Sequence, residues 1–351
     1  MASFNNTAWN NTSMDYFSLY VYEESLLQKF NRKYQMMHGY VSSSVCIFGM
    51  LSNIINVIVL TRKHMIKPVN CILTAIAIAD FFTMSIYLIH AVQFYILKEP
   101  AWYENHSESW MYFLLFNTSF VITSHNVSVW LTVHLAVFRY IFVCHNKFGN
   151  REISIKQTIL TLAVTGSVVI LLCIPNFFLY QVIALSDFGI NVSGYWLVYS
   201  NFALKHPSFT LYTFWFYGVV MKNVPCIILA CLCGSITLTM YRSNKQRRLL
   251  QGQATLSTHG GNLEHNRTTR MLVAVVMFSV VVEMPGGVLA MISGLNDNFF
   301  VNVYSNLGDV LDLLVLLNST VNFILYCAMS RQFRSTFKDI MICFKSVPPL
   351  P

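Results

Sequence analysis

A chain of 351 residues that is 55% hydrophobic and only 11% charged, with a mean hydropathy of +0.52, is not composed like a soluble domain, where about 25% of residues are charged. A net charge of +8 would suit nucleic acid in a soluble protein, but these basic residues gather in alternate connectors between apolar runs, which is a topology signal and not a nucleic-acid footprint. Nine cysteines, none in CxxC or zinc spacing, fall inside apolar runs or on basic edges, so neither a disulfide framework nor a metal site is implied.

The first 39 residues are polar and lack an apolar h-region, so no cleavable signal peptide is expected there. They carry N-glycosylation acceptors at Asn5, Asn10 and Asn11, which suit a lumenal, glycosylated amino-terminal tail. Seven stretches then meet the length of about 20 residues that a membrane-spanning helix needs. They lie near 40–61, 69–97, 110–143, 158–185, 209–241, 270–295 and 303–327. The expected architecture is therefore all-α: a seven-helix transmembrane bundle over 40–327 and a tail over 328–351. Arg62, Lys63 and Lys67, then Lys147, Arg151 and Lys156, then Arg242, Lys245, Arg247, Arg248, Arg267 and Arg270 occupy alternate connectors. The positive-inside rule places those connectors in the cytoplasm, the amino terminus outside and the carboxyl terminus inside.

Asp80 interrupts the apolar run of the second span, where a carboxylate costs roughly 2.5–3.5 kcal/mol, so it is either hydrogen-bonded scaffolding or functional. His125 lies about four turns from Arg139 on the third span, roughly on the same face. Lys222 stands one turn before Pro225 in the fifth span, and Glu283 two residues before Pro285 in the sixth. Lone charges at that depth are costly, so Lys222 and Glu283 are expected either to pair, near His125, or to face a wet cavity. Asp309 and Asp312 mark the outer half of the seventh span, either as a solvated rim or as a site for a cationic ligand. Tyr87, Gln93, Phe94, Trp215 and Tyr217 are candidate lining for the same cavity, against the plainer reading of helix packing and interface belts. Beyond the last span, Phe333, Phe337, Ile340, Met341 and Phe344 recur at helical spacing opposite Arg331, Arg334, Lys338 and Lys345. That is an amphipathic eighth helix against membrane lipid, with Cys343 placed for palmitoylation.

Asn318, Asn322 and Tyr326 at i, i+4 and i+8, preceded in order by Asp80, Arg139, Pro225 and Pro285, resemble the motif set of rhodopsin-like G-protein-coupled receptors. The resemblance implies an activation and G-protein-coupling set of Phe138, Arg139, Tyr140, Pro285, Asn322 and Tyr326. It implies a sodium-binding polar pocket of Asp80, Ser128, Asn318 and Asn322, with sodium an allosteric ion and no other cofactor. The chain departs from the pattern in four places. Phe138 replaces the acid before Arg139, leaving Glu264 as the remaining partner; Glu283 replaces the switch tryptophan; and Phe323 replaces a proline. Leu114 stands where the third span usually carries the cysteine of an outer-loop disulfide, and the loop 186–208 has no cysteine.

Within that family, Phe138-Arg139-Tyr140, the Asn322–Cys327 run and Ser330–Arg334 look like invertebrate receptors of the myosuppressin and FMRFamide-like group. The resemblance implies a plasma-membrane receptor for a short amidated neuropeptide, with an inhibitory-type heterotrimeric G protein and arrestin as partners. Glu283, Asp309, Asp312, Lys222, His125, Tyr87, Gln93 and Trp215 would line its ligand site. A chemosensory receptor for a small molecule on the same helices is the alternative. An opsin would need a lysine within 303–327, and there is none; no H-E-x-x-H or G-x-S-x-G suggests an enzyme.

Overall fold

A computed structural model of the chain describes residues 25–97, 107–144, 154–188, 194–251, 260–295 and 297–345. Among them, seven helices are long and apolar enough to cross a bilayer. The first, α1 (Leu26–Leu60), starts well before the span expected at residue 40. Its start is fixed by a capping box: Gln28 N donates to Ser25 Oγ (3.2 Å) and Ser25 N to Gln28 Oε1 (2.9 Å). The expected polar tail of residues 1–39 is thus helical from Leu26, because its last turns pack on neighbouring helices. Gly39 lets α1 come close to Tyr95, and Asn31 Nδ2 reaches Asn306 Oδ1 at 3.4 Å.

Helix α2 (Pro68–Ala91) opens on a proline at its first turn, where the missing N–H costs nothing, and continues through a π-helical stretch, Val92–Ile96. Helix α3 (Glu108–Cys144) runs through the middle of the bundle. Helix α4 (Ile155–Cys173) ends where Pro175 cannot continue the hydrogen-bonding pattern, and a 3₁₀ turn, Ile174–Phe178, follows. The expectation of one helix over 158–185 is corrected here. The apolar run beyond Phe178 is a strand, β1 (Tyr180–Ala184), paired antiparallel with β2 (Tyr195–Tyr199) in the register Tyr180↔Tyr199 to Ala184↔Tyr195.

Every cysteine in the described side chains is a free thiol, so this hairpin is held by other means. Ser200 donates its N–H to Leu179 O (2.9 Å) and its Oγ to Phe178 O (2.6 Å), and Tyr180 stacks on Tyr199 at 5.2 Å.

Helix α5 is built in three pieces: α-helical Pro207–Trp215, a π-helical stretch Phe216–Asn223, and α-helical Val224–Gln251. Helix α6 (Gly260–Ser293) contains Pro285. A further π-helical turn, Phe300–Tyr304, leads into α7 (Ser305–Met329), and α8 (Arg331–Lys345) follows almost at once. Arg334 Nη1 donates to the carbonyls of Cys327 (2.9 Å) and Ala328 (3.0 Å), satisfying acceptors that the end of α7 leaves open.

Burial is inverted relative to a soluble protein. Asn53, Asn56, Asp80, Asn126 and Glu283 are buried, while Leu160, Leu171, Val281 and Ile342 are exposed. A bilayer has no preference for apolar over apolar, so polar contacts and close packing hold the helices together. One apolar cluster joins α1, α2, α3, α7 and α8 around Ile72, Leu135, Tyr326 and Phe333. A second, around Leu229, Cys233 and Val276, joins α3, α5 and α6.

Candidate functional site

Four polar layers succeed one another along the bundle, from the end where α1 begins to the end where α8 lies.

The first lies between α1, α2 and α7. Tyr87 Oη donates to Asp312 Oδ2 (3.1 Å) and Tyr95 Oη to Asp309 Oδ1 (2.6 Å). His38 Nε2 lies 2.9 Å from Tyr87 Oη, and its Nδ1 lies 3.3 Å from Tyr34 Oη. Tyr87 has one proton and gives it to Asp312, so His38 Nε2 donates to Tyr87, and in the neutral ring Nδ1 then accepts from Tyr34. The oxygen Asp309 Oδ2 is buried without a partner, while the Asp312 side chain is accessible. A carboxylate pair so placed calls for a cationic donor.

Tyr34, His38 and Tyr95 were missed at the sequence level. Their signal was the i, i+4 pair Tyr34 and His38 inside a stretch read as a polar tail. Gln93 is half-buried within the π-helical end of α2. Trp215 is half-buried on α5, where its indole packs on Gly294: a Cβ there would lie 3.1 Å from Trp215 Cδ1.

The second layer is at mid-bundle. Lys222 Nζ donates to Glu283 Oε2 at 3.2 Å. His125 Nε2 stands 2.8 Å from Glu283 Oε1, at ion-pair distance but off the line of a hydrogen bond. Asn318 Nδ2 also donates to Oε1 (3.2 Å) and accepts at Oδ1 from Ser279 (2.9 Å). The expected Lys222–Glu283 pair therefore forms, beside His125 and with 2% exposure at Glu283. Close approach of α5 to α6 allows it. A Cβ on Gly287 would sit 3.0 Å from Lys222 Cβ and collide with the Asn223 side chain, and one on Gly286 would lie 3.3 Å from Lys222 Nζ. Lys222 Nζ also lies 5.7 Å from the ring centre of Tyr217.

Lys222 and His125 are buried below the acid pair yet within electrostatic reach of Asp312, so the members of the expected ligand site form two neighbouring groups. Only Asp309, Asp312 and Tyr87 of its members meet in the first layer.

The third layer surrounds Asp80. Ser128 Oγ donates to Oδ1 (2.7 Å) and Asn322 Nδ2 to Oδ2 (3.3 Å). Ser319 Oγ is buried beside the carboxylate without an aligned hydrogen bond. Asn318, expected in this pocket, is corrected out of it: its amide is committed to Ser279 and Glu283. The remaining oxygens of Asp80, Ser128 and Ser319 are the donor type that a hard cation takes, so the residues fit a sodium ion with Ser319 in place of Asn318.

The fourth layer holds Arg139, which is 8% exposed and bounded by Ala136, Cys233, Ile236, Val273 and Val276. Its Nε has no partner. Phe138 packs against the cluster around Leu135, where Tyr326 also lies, and Tyr140 is half-buried. Pro285 sits inside α6, just beyond Glu283. Asn5, Asn10 and Asn11 lie outside the described residues, and the side chains of Glu264 and Cys343 are likewise outside them.

The family described as Serpentine type 7TM GPCR chemoreceptor Srw matches residues 40–344 of the chain. Over 350 residues the chain is 31% identical to the G-protein coupled receptor dmsr-1 of Caenorhabditis elegans, covering 88% of this chain and 69% of that protein. It is 28% identical to the Sex peptide receptor of Drosophila melanogaster over 326 residues, 87% of this chain and 72% of that one. It is 22% identical to the FMRFamide receptor of Drosophila melanogaster over 312 residues, 88% of this chain and 54% of that one.

Proposed function

The chain belongs to the serpentine seven-transmembrane G-protein-coupled receptor family Srw, a multi-pass protein of the plasma membrane, and from that premise we propose that it is a receptor for a short, C-terminally amidated, FMRFamide-like neuropeptide. The observation that carries the reading is the acid pair Asp309 and Asp312, one with a buried unpartnered oxygen and the other accessible. A guanidinium presents a planar fork of donors that matches two carboxylate oxygens at once, so the arginine of an Arg-Phe-amide ending is the natural occupant. Half-buried Phe94 and Trp215 offer aromatic surface for the neighbouring phenyl ring. The likeness to a receptor named for FMRFamide supports the same chemistry.

In this reading the amino-terminal end of the bundle faces outward, and the Arg139 end meets an inhibitory-type heterotrimeric G protein and then arrestin. Asp80 with Ser128, Asn322 and Ser319 holds a sodium ion that biases the bundle without touching the peptide.

A reporter of cAMP and calcium in cells expressing the chain, challenged with amidated peptides beside a small-molecule panel, tests it. Nanomolar responses to Arg-Phe-amide peptides are expected. Asp312→Asn should weaken potency about 10- to 100-fold, the cost of ~1.5–3 kcal/mol for a charged hydrogen bond. Silence to every peptide with a response to a small molecule would replace this reading with the chemoreception that the family description prints.

A further inference from the structure

We propose that His38 makes the acid-pair site pH-sensitive: a proton on its ring supplies a counter-charge to Asp309 and Asp312, so affinity for a cationic ligand falls as the medium is acidified. The inference rests on the reading of that pair as a cation site. Histidine is the side chain whose ordinary charge change lies between about pH 5 and 8. His38 has 0% exposure, yet both of its ring nitrogens have partners: Nε2 lies 2.9 Å from Tyr87 Oη and Nδ1 lies 3.3 Å from Tyr34 Oη. A hydroxyl both donates and accepts. Tyr34 therefore donates to Nδ1 of the neutral ring and, by turning its O–H away, accepts from Nδ1–H of the charged one. Proton uptake costs the ring no hydrogen bond, and Tyr34, only half-buried, is the partner nearer solvent.

The titratable groups facing the ring come from three helices. Tyr34 lies one turn earlier on α1. Tyr87 and His90 belong to α2, and Tyr95 to the π-helical stretch after it, its ring centre 4.8 Å from that of His38. Asp309 and Asp312 belong to α7. Asp309 acts on the imidazole through space, and Asp312 is joined to it through Tyr87, whose hydroxyl donates to Oδ2 at 3.1 Å. With His38 neutral and both acids ionised the layer carries two negative charges; with His38 charged it carries one. An arriving cation is then opposed by a positive charge already in place. Linkage makes the converse hold: a bound cation expels the proton from His38. His90 is the other imidazole of the layer, its ring 5.3 Å from that of Tyr87 and 5.7 Å from that of Tyr95. Its Nδ1 is buried without a partner, so a second proton there would have no acceptor, and His38 is the ring built to take a charge.

Receptor carrying isotopically labelled histidine, held in lipid nanodiscs, gives ring-nitrogen resonances that report charge, and the one missing from His38→Gln belongs to His38. On acidification from about pH 7.5 to about pH 5.5 it should pass from neutral to charged. At the acid end the charged form should be less populated in Asp309→Asn, which loses a facing carboxylate, and in Tyr34→Phe, which loses the acceptor for Nδ1–H. A ring that stays neutral throughout overturns the proposal, as does a titration that neither variant alters; these readouts need no ligand. Cells expressing the receptor are then challenged with Phe-Met-Arg-Phe-amide over the same range. Potency should fall severalfold toward acid in wild type and clearly less in His38→Gln. Protonation of the carboxylates themselves acts with the same sign, so an equal fall in both proteins assigns the effect to them and overturns the role of His38. Should His38→Gln fail to fold, Tyr34→Phe takes its place under the same criterion. Silence to the peptide at every pH counts against the function proposed above and not against the switch, which methylguanidinium then decides. Added in excess to the labelled receptor in mild acid, it should return His38 to its neutral form, and an unchanged resonance overturns the proposal.

Discussion

Single residues decide how this receptor balances rest against activity, and Phe138 shows it most simply. In rhodopsin-like receptors the position before the arginine carries an acid; here it carries a ring that packs into the cluster around Leu135 and Tyr326, and Arg139 Nε has no partner. Phe138→Asp supplies a carboxylate next to a buried guanidinium, where opposite charges attract strongly. Agonist-independent nucleotide exchange, normalised to surface receptor, should fall; a level equal to wild type or above it would show that Arg139 is restrained by packing alone. At this scale the sequence was legible where physics left few options. Lys222 and Glu283 had to find partners at mid-membrane, and they found each other. Asn318 was not legible, because an amide satisfies either Asp80 or Glu283 and only the rotation of α7 decides. His38 and Tyr34 were hidden for another reason: a polar stretch at a helix start looks the same whether it is solvated or packed.

At the scale of elements, the glycines show how closely the helices meet. A methyl group at Gly287 has nowhere to go, since the Asn223 side chain occupies its place and Lys222 Cβ lies 3.0 Å away. Gly287→Ala should therefore destabilise by ~1–3 kcal/mol through overpacking. Gly166→Ala should do the reverse by up to ~1 kcal/mol, because nothing lies within 4 Å of the new methyl and alanine forms helix better than glycine. Thermal midpoints of the two variants in detergent should move in opposite directions, and a shared direction would refute the contact geometry. The element boundary at Pro68 was readable from the sequence, whereas Pro175 ends α4 inside the run 158–185 that was expected to be one span. The strand at Tyr180–Ala184 was not, because a short apolar run looks alike in a buried helix and in a hairpin.

For the whole molecule, the seven spans and their order were legible because hydrocarbon demands apolar length and the chain provides it seven times. An amino terminus on the outside is the expectation that the basic connectors carry. It predicts that Asn5, Asn10 and Asn11 meet the glycosylation machinery: removal of N-glycans should increase gel mobility of the wild type and leave the triple Asn→Gln variant unmoved. A wild type without any such change would remove the support that the acceptor sites give to an outward amino terminus.

The three π-helical stretches among the described residues, Val92–Ile96, Phe216–Asn223 and Phe300–Tyr304, lie after α2, within α5 and before α7, all toward the end of the bundle where α1 begins. Each behaves as an inserted residue in an α-helix, and one inserted residue turns everything beyond it by about 100°. In α5 the outer piece, Pro207–Trp215, is thus set to its own angular phase, independent of the inner piece, Val224–Gln251, which lies beside Arg139. Deleting one residue from such a stretch would swing a new set of side chains into the outer cavity while the inner half kept its packing. The outer and inner lengths of such a helix are in this way separately rotatable, so one can be rewritten in evolution without erasing the other.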